Sequence, residues 1–236
     1  AKTLNVEETS VPKIDILETN NRVPWSGHMA SYAIRDIYQK IKKSSLTIVF
    51  VNTRAQAELV FNKLWQENDN NLRIAIHHGS LEKEIRRKVE SLMSLGKIDC
   101  VVATSSLDLG IDWGDVDLVI QIGSPKGISR FLQRIGRSNH RFDEPSNALL
   151  VPSNRFEYLE CLSAINSIKN KLLDETKEKK GSLDVLAQHI LGVACSDPFH
   201  IDELYNQVIN ARPYRHLTKT KFLEVVEFVK NGGYSL

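Results

Sequence analysis

The feature that most constrains the fold is an alternation, from residue 26 onward, between short apolar runs and segments with a helical period. A run that is apolar at every position predicts a strand buried on both faces, whereas apolar residues three and four apart predict a helix. Their alternation predicts an α/β fold, a parallel sheet with helices on both faces. The predicted strands are LTIVFV, RIAIHH, DCVVAT, DLVIQI and NALLVP, with KIDIL at 13–17 as a short first strand. The predicted helices lie in GHMASYAIRDIYQKIKK, RAQAELVFNKLW, LEKEIRRKVESLMSLG and GISRFLQRI.

Pattern and composition divide the chain into four parts. Residues 1–23 are predicted to be a linker that includes the short first strand, and residues 24–166 the α/β domain. Residues 167–182 are predicted to be a charged connector. Residues 183–236 hold three short helical patterns and the beginning of a strand, which suits a small, mainly helical winged-helix module truncated at its wing. Any small helical bundle would give a similar pattern.

The overall charge and the cysteines exclude several classes of protein. With 31 basic and 29 acidic residues the net charge is +2, so a nucleic-acid site has to be a local patch. The three cysteines include no C-x-x-C, so we expect no metal site, no disulfide framework and a cytoplasmic location. No apolar run reaches the ~18 residues of a membrane span, so no membrane partner is expected. The chain lacks a signal peptide and an initiator Met, which favours a piece of a longer polypeptide.

Polar residues directly follow the predicted strands. Ligands of a parallel sheet bind beyond the carboxyl ends of its strands, so these residues are candidates for a site. They include Thr53, Arg54, His78, Thr104, Ser105 and Lys126. Ser105 and Asp108 also form a capping-box pattern at a helix start, where free N–H groups can hold a phosphate. Ordinary helix capping would equally explain the hydroxyl residues, and a solvated side chain would explain Arg54.

Positive charge is concentrated in FLQRIGRSNHR, residues 131–141. Arg134, Arg137 and Arg141 are three and four residues apart, so on a helix they would share one face. Arginine keeps its proton in proteins, and its planar donors match phosphate oxygens. No Asp or Glu stands at matching spacing, so the cluster predicts an anion site, the alternative being a solvated basic face.

Several segments together resemble the second RecA-like domain of a superfamily 2 helicase. IVFVNTR is similar to motif IV, VVATSSLDLGID to motif V and QRIGRSNHR to motif VI. HHGSL with the charged helix after it, and SSLDLGID, resemble the large helicase-related (Lhr) family. PWSGHM, IGSPKG, LDVLAQH and GGYSL look most like its bacterial ligase-associated branch, a DEXH-box helicase of DNA repair. The resemblance runs from about Pro24 to the end of the chain.

The resemblance implies roles around the nucleotide. Arg137 matches the arginine finger that contacts the γ-phosphate of ATP, and Arg141 matches a second finger. Gln133 is expected to contact the phosphates of the nucleotide or the motif V loop. The remaining residues that the resemblance assigns to nucleotide binding are Arg134, Gly110 and Asp112, with Asp112 accepting from a ribose hydroxyl.

The resemblance also implies a grip on nucleic acid. Thr53, Arg54, Thr104 and Ser105 match residues that hold the nucleic-acid backbone. His78 and Lys126 are expected to contact the same nucleic-acid strand. Backbone contacts of this kind carry no sequence information, which suits a motor that releases and re-binds its strand.

The chain has no phosphate-binding loop G-x-x-x-x-G-K-[S/T] and no Asp-Glu-x-His. The implied function is therefore the C-terminal half of the motor of an ATP-dependent DNA helicase or translocase, with Mg²⁺ held by a first RecA-like domain outside this sequence. This polypeptide alone is expected neither to hydrolyse ATP nor to unwind. The implied partners are single-stranded DNA or a tailed duplex, that first domain, and a DNA ligase and nuclease. An RNA helicase of the same superfamily and a non-catalytic nucleic-acid-binding adaptor are the alternatives.

Overall fold

The computed structural model describes residues 12–27, 29–108, 116–138, 145–174 and 179–232. The chain forms two compact units, Ala1–Asp174 and Glu175–Leu236. The domain boundaries expected from the sequence stay a prediction.

A parallel sheet of six strands forms the centre of the first unit, in the part of the chain that is described. Its strands are β1 (Lys13–Ile16), β2 (Thr47–Phe50), β3 (Ile74–His77), β4 (Cys100–Ala103), β5 (Leu118–Ile122) and β6 (Asn147–Val151). They lie in the order β1-β6-β5-β2-β4-β3, and every neighbouring pair is parallel. The segment KIDIL thus joins the sheet as β1, at the edge beside β6.

Helices cover both faces of this sheet, as the alternation of apolar patterns predicted. They are α1 (Ile34–Ile41), α2 (Arg54–Gln66), α3 (Lys83–Ser94), α4 (Ile128–Ile135) and α5 (Arg155–Lys169). Val49 of β2 belongs to the apolar core formed with α1 and α2, whereas its neighbour Phe50 belongs to the core formed with α3, α4 and α5. A strand turns successive side chains to opposite faces, so the apolar run of β2 is buried from both sides. The α/β fold class predicted from the sequence is confirmed.

Two helices differ from the sequence expectation. The helix expected from residue 26 begins only at Ile34, after a 3₁₀ turn of Ser31–Ala33. Helix α5 was not expected at all, and it ends at Lys169, inside the range predicted as a charged connector. Asn154 begins α5 by accepting hydrogen bonds from the N–H groups of Phe156 and Glu157, both at 3.0 Å. Such a cap satisfies donors that the first helical turn leaves without partners.

The second unit consists of three helices, α6 (Leu183–Ser196), α7 (Ile201–Asn210) and α8 (Lys219–Asn231), among its described residues. Each corresponds to one helical pattern of the sequence. Their apolar faces meet in a small core that comprises Leu186, Ile190, Leu204, Val208, Phe222 and Val225. The expected wing falls at residues 233–236, which lie outside the described residues.

Candidate functional site

The residues that follow β2 and β5 lie next to each other at the carboxyl edge of the sheet. Asn52 Nδ2 donates to the carbonyl of Ser124 over 3.1 Å. Gly123 has a φ of 78°, and a Cβ at this position would lie 3.0 Å from Asn52 Nδ2. A side chain at position 123 would therefore be strained and would displace Asn52. The strand ends thus meet as the parallel topology predicts.

Thr53 and Arg54 begin α2 at this edge. The Thr53 hydroxyl accepts from the Gln56 N–H over 3.2 Å, and the Gln56 side chain accepts in return from the Thr53 N–H over 3.2 Å. This reciprocal pair is a capping box, so Thr53 fulfils the capping role that the sequence allowed. The exposed Arg54 guanidinium donates to the hydroxyl of Ser80 in the loop after β3. The side chain of Arg54 therefore joins the start of α2 to the loop after β3 and remains exposed to solvent.

The adjacent histidines at the end of β3, His77 within the strand and His78 just after it, are both buried and point to different helices. His77 Nδ1 lies 2.8 Å from the Ser106 hydroxyl, and its Nε2 lies 3.0 Å from Glu90 of α3. His78 Nε2 lies 3.6 Å from Glu58 of α2, on the other side of the sheet. Burial lowers the pKa of His77, and the hydrogen bond to Glu90 opposes this effect. His78 is thus packed into the strand end, and its expected contact with nucleic acid stays a prediction.

Thr104 and Ser105 follow β4. Thr104 is buried, whereas Ser105 is exposed at the start of a 3₁₀ turn, Ser105–Leu107. The capping box expected from Ser105 and Asp108 is not formed, because the turn has no side-chain cap hydrogen bond. Asp108 binds arginines instead.

Asp108 is the anion that the arginine cluster contacts in this structure. Its carboxylate accepts from Arg134 Nε over 2.8 Å, and both side chains are at least nine-tenths buried. Arg134 also donates to Gln121 Oε1 of β5 over 2.6 Å, and its guanidinium carbon lies 4.8 Å from the centroid of the Phe50 ring. Arg130 Nε, on an exposed side chain, lies 3.6 Å from the same carboxylate. The predicted motif V and motif VI segments are thus joined through a buried ion pair.

Arg137 is arranged differently from Arg134. Helix α4 ends at Ile135, so the single helical face expected for the arginines does not extend to Arg137. Arg137 Nη2 donates to the carbonyl oxygen of Asp108 over 2.9 Å, and the residue remains partly exposed. Gln133, also expected to act near the nucleotide, is exposed on α4. The expected nucleotide residues Gly110, Asp112 and Arg141 lie outside the described residues.

A small polar pocket of about 70 Å³ opens at the same edge. Asn52, Ser105, Lys126, Arg130 and Arg134 contribute to its lining. Two of these, Asn52 and Arg130, were not among the predicted site residues. Arg130 stands four positions before Arg134 on α4, so the helical spacing that linked the other arginines would also have found it. The pocket combines hydroxyl, amide and guanidinium groups, which together suit a phosphate-sized anion.

The described residues include no group of three or more His, Cys, Asp or Glu side chains placed to hold a metal ion. Cys100, Cys161 and Cys195 are free thiols, and burial raises the pKa of Cys161 to about 12. None of the described helices is long and apolar enough to cross a membrane.

Two family models match the chain. Residues 31–142 match the helicase conserved C-terminal domain, and residues 166–236 match the winged helix domain of the large helicase-related protein. The structure of Mycobacterium smegmatis helicase Lhr bound to ssDNA and AMP-PNP superposes with a TM-score of 0.81 at 29% identity, covering 94% of this chain and 29% of that chain. The predictions of a RecA-like domain and of a winged-helix module are confirmed.

Named helicases are also similar in sequence. The ATP-dependent helicase Lhr-Core of Methanocaldococcus jannaschii is 39% identical over 192 residues, which is 81% of this chain and 23% of that protein. The Lhr helicase/uracil glycosylase of Escherichia coli is 39% identical over 158 residues, 67% of this chain and 10% of that protein. The chain therefore spans less than a quarter of the length of these relatives.

The fold and the site define the C-terminal RecA-like domain of a superfamily 2 helicase, followed by a winged-helix domain. Within that superfamily, the winged-helix family model and the Lhr proteins described above carry the same family name. The chain belongs to the large helicase-related family.

Proposed function

We propose that this chain is the C-terminal half of the motor of an ATP-dependent DNA helicase or translocase of DNA repair, from the ligase-associated branch of the family. The observation that carries the proposal is the position of Arg137, which is partly exposed and bonded to the carbonyl of Asp108. The neighbouring Arg134 is buried against the Asp108 carboxylate. One arginine thus fixes the motif V and motif VI segments to each other, while the next is only partly buried.

In this proposal Arg137 is an arginine finger that acts across a domain interface. A first RecA-like domain binds ATP and Mg²⁺, since the 236 residues hold no phosphate-binding loop. Closure of the two domains brings Arg137 to the γ-phosphate, where its fixed charge stabilises the transition state. Arg141 supplies the second finger, and Gln133, Gly110 and Asp112 complete the nucleotide side. Arg134 supports this side because its ion pair with Asp108 holds the motif V and motif VI segments together.

The carboxyl edge of the sheet holds the nucleic-acid strand. Arg54 and Ser105 are exposed there, and Lys126 and Arg130 line the small polar pocket. Thr53 and Thr104 position these groups at the beginning of α2 and at the end of β4, and His78 fills the end of β3. Each round of domain closure and opening lets one domain advance on the strand while the other holds it.

DNA is the preferred strand, because the similar structure of helicase Lhr is bound to ssDNA. The contacts in this chain are to phosphates, so they do not by themselves separate DNA from RNA. A tailed duplex is the proposed substrate, the cytoplasm is the proposed location, and a DNA ligase and a nuclease are the proposed partners. Binding of this chain to DNA and RNA strands of matched sequence tests the preference, and tighter binding to RNA would favour an RNA helicase.

The decisive experiment measures nucleic-acid-stimulated ATP hydrolysis by a protein that carries both RecA-like domains. Arg137→Ala is expected to lower the rate by about 10³ and to leave ATP binding unchanged, because a finger acts in the transition state. Arg35→Ala, which removes an exposed arginine of α1, is the matched control and should keep the activity. Full activity of Arg137→Ala would assign the cluster to nucleic acid or to the fold.

The chain alone is proposed to be inactive. Phosphate release from ATP by the 236-residue polypeptide, with and without single-stranded DNA, should equal the blank. Release above the blank that survives Arg137→Ala would contradict this expectation. Binding of the strand without hydrolysis by the two-domain protein would favour a non-catalytic adaptor.

A further inference from the structure

The outer edge of β3 borders an open groove of about 620 Å³, lined by α3, by β3 and by the end of α2. Its apolar lining includes Trp65, Ile74, Ala75, Ile85, Val89 and Leu92. Trp65 is 58% exposed and Ile85 is 46% exposed, so the groove presents large apolar side chains to solvent. Exposed apolar surface that is grouped in this way marks interaction sites. The groove borders the beginning of β3, and the candidate site borders the end of this strand.

The strand edge beside the groove has backbone groups available for pairing. Strand β3 pairs with β4 alone among the strands that the structure describes. The carbonyl of Arg73 accepts from the N–H of Asp99, and the carbonyl of His77 accepts from the N–H of Thr104. Peptide groups alternate in direction along a strand, so those of Ile74 and Ile76 point away from β4. Such an edge is a template for an additional strand.

The groove is positively charged. Arg73, Lys88 and Lys97 line it, and no Asp or Glu is among its lining residues. Arg73 is engaged by Asp99, with Nε 2.9 Å from Oδ2, and this contact lowers the pKa of Asp99. Lys88 and Lys97 are exposed, and neither has an ion-pair partner among the described residues. Two uncompensated cations beside apolar surface favour an occupant that carries carboxylates.

We propose that this groove binds an extended segment of a partner protein, which adds to the outer edge of β3 as a further parallel or antiparallel strand. The segment carries large apolar residues at alternate positions and acidic residues beside them. Strand addition provides affinity through main-chain hydrogen bonds, and the pockets for alternate side chains provide specificity. Phosphates would also be attracted to Lys88 and Lys97, but they would make no favourable contact with apolar lining residues such as Trp65 and Leu92. The proposal is independent of the helicase function.

The test is a selection of random peptides displayed in a library against the whole chain. The selected peptides are expected to carry an excess of Asp and Glu and apolar residues at alternate positions. Their affinity should fall by about tenfold or more for Ile85→Glu and for the double variant Lys88→Glu with Lys97→Glu. Leu95→Glu and Lys83→Glu are matched controls, because both residues are exposed near α3 and neither lines the groove. Both controls should bind like the original chain.

Strand addition is tested on the peptide, so that the fold is untouched. Two versions of a selected peptide are N-methylated at alternate residues, one in each register. Only the version that loses the N–H groups facing β3 should lose binding. The proposal is overturned if both versions bind equally, if the selection yields no binder, or if the selected peptides lack acidic residues. It is also overturned if the Glu variants bind like the controls, or if a single-stranded oligonucleotide or a second copy of the chain occupies the groove instead.

Discussion

The carboxylate of Asp108 and the guanidinium of Arg134 form a buried ion pair that joins the segment after β4 to helix α4, with Nε 2.8 Å from Oδ1. Gln121 of β5 accepts a hydrogen bond from a second donor of Arg134, Nη1, over 2.6 Å. A buried guanidinium is tolerated only when its donors are satisfied and its charge is balanced. The pair therefore connects the nucleotide side of the proposed motor to the sheet.

Removing one partner of this pair leaves the other charged and buried. Asp108→Ala is expected to lower the free energy of unfolding of the first unit by about 3–5 kcal/mol. Arg130→Ala removes an exposed arginine that lies 3.6 Å from the same carboxylate, and it should cost no more than about 0.5 kcal/mol. All three tryptophans, at 25, 65 and 113, belong to the first unit, so urea unfolding followed by tryptophan fluorescence reports on it alone. Equal losses of unfolding free energy for Asp108→Ala and Arg130→Ala would contradict a stabilising role of the buried Asp108–Arg134 pair.

Most of the sheet could be predicted from the sequence because strands β2 to β6 lie in nearly continuous apolar runs. Thr47–Phe50 is buried at all four positions, as expected for a strand in the continuous apolar run LTIVFV. Helix α5 was missed because its apolar residues do not follow one face. Phe156 and Leu159 are more than 60% exposed, whereas Cys161 is fully buried. These exposed apolar residues obscure the helical period that Cys161, Ala164, Ile165 and Ile168 form on the buried side.

The candidate site could be predicted only in part. Residues such as Arg54 and Ser105 were identified because they follow predicted strands, and parallel topology brings strand ends together. The partner of Arg134 could not be found in this way, since Asp108 stands 26 residues earlier and no local spacing relates the two. For the same reason the sequence did not show that His77 bonds Glu90 of the next helix.

The cap of α2 is expected to have a measurable effect on stability. Thr53→Ala removes the acceptor of the Gln56 N–H and should lower the free energy of unfolding of the first unit by about 1 kcal/mol. Thr53→Ser keeps the hydroxyl and should keep the stability. Thr218 caps α8 by accepting from the Lys221 N–H, and it belongs to the second unit. Thr218→Ala should therefore leave the tryptophan-detected transition unmoved, and a shift there would show that the two units do not unfold independently.

The free energy of unfolding of the first unit is expected to decrease as the pH is lowered from 7.5 to 5.5, in part because of His77. Burial lowers the pKa of this histidine in the fold, while its unfolded-state pKa stays near the ordinary value of about 6.5. Below that value the unfolded chain binds the proton more readily than the folded chain, so acidification favours unfolding. Glu90 attracts the proton, whereas Arg86 and His78 repel it, and burial prevails over Glu90.

The measurement for His77 compares urea unfolding at the two pH values. His77→Gln cannot be protonated in this range and should lose less stability on acidification than the original chain. His189→Gln, on an exposed residue of α6 in the second unit, should change nothing in the tryptophan signal. An unchanged pH dependence in His77→Gln would mean that His77 does not contribute.

The proposed contact of Arg54 with phosphate is expected to appear in the salt dependence of binding to single-stranded DNA. One phosphate contact contributes about 0.7 to the slope of log K against log salt, so Arg54→Ala should lower the slope by this amount. Ser80→Ala removes only the hydroxyl to which Arg54 donates, so the charge and the slope should remain. Arg35→Ala removes the same charge from the exposed surface of α1 and should leave the slope unchanged. If Arg35→Ala and Arg54→Ala reduce the slope equally, the effect reflects overall charge and the carboxyl edge loses its support as the binding surface.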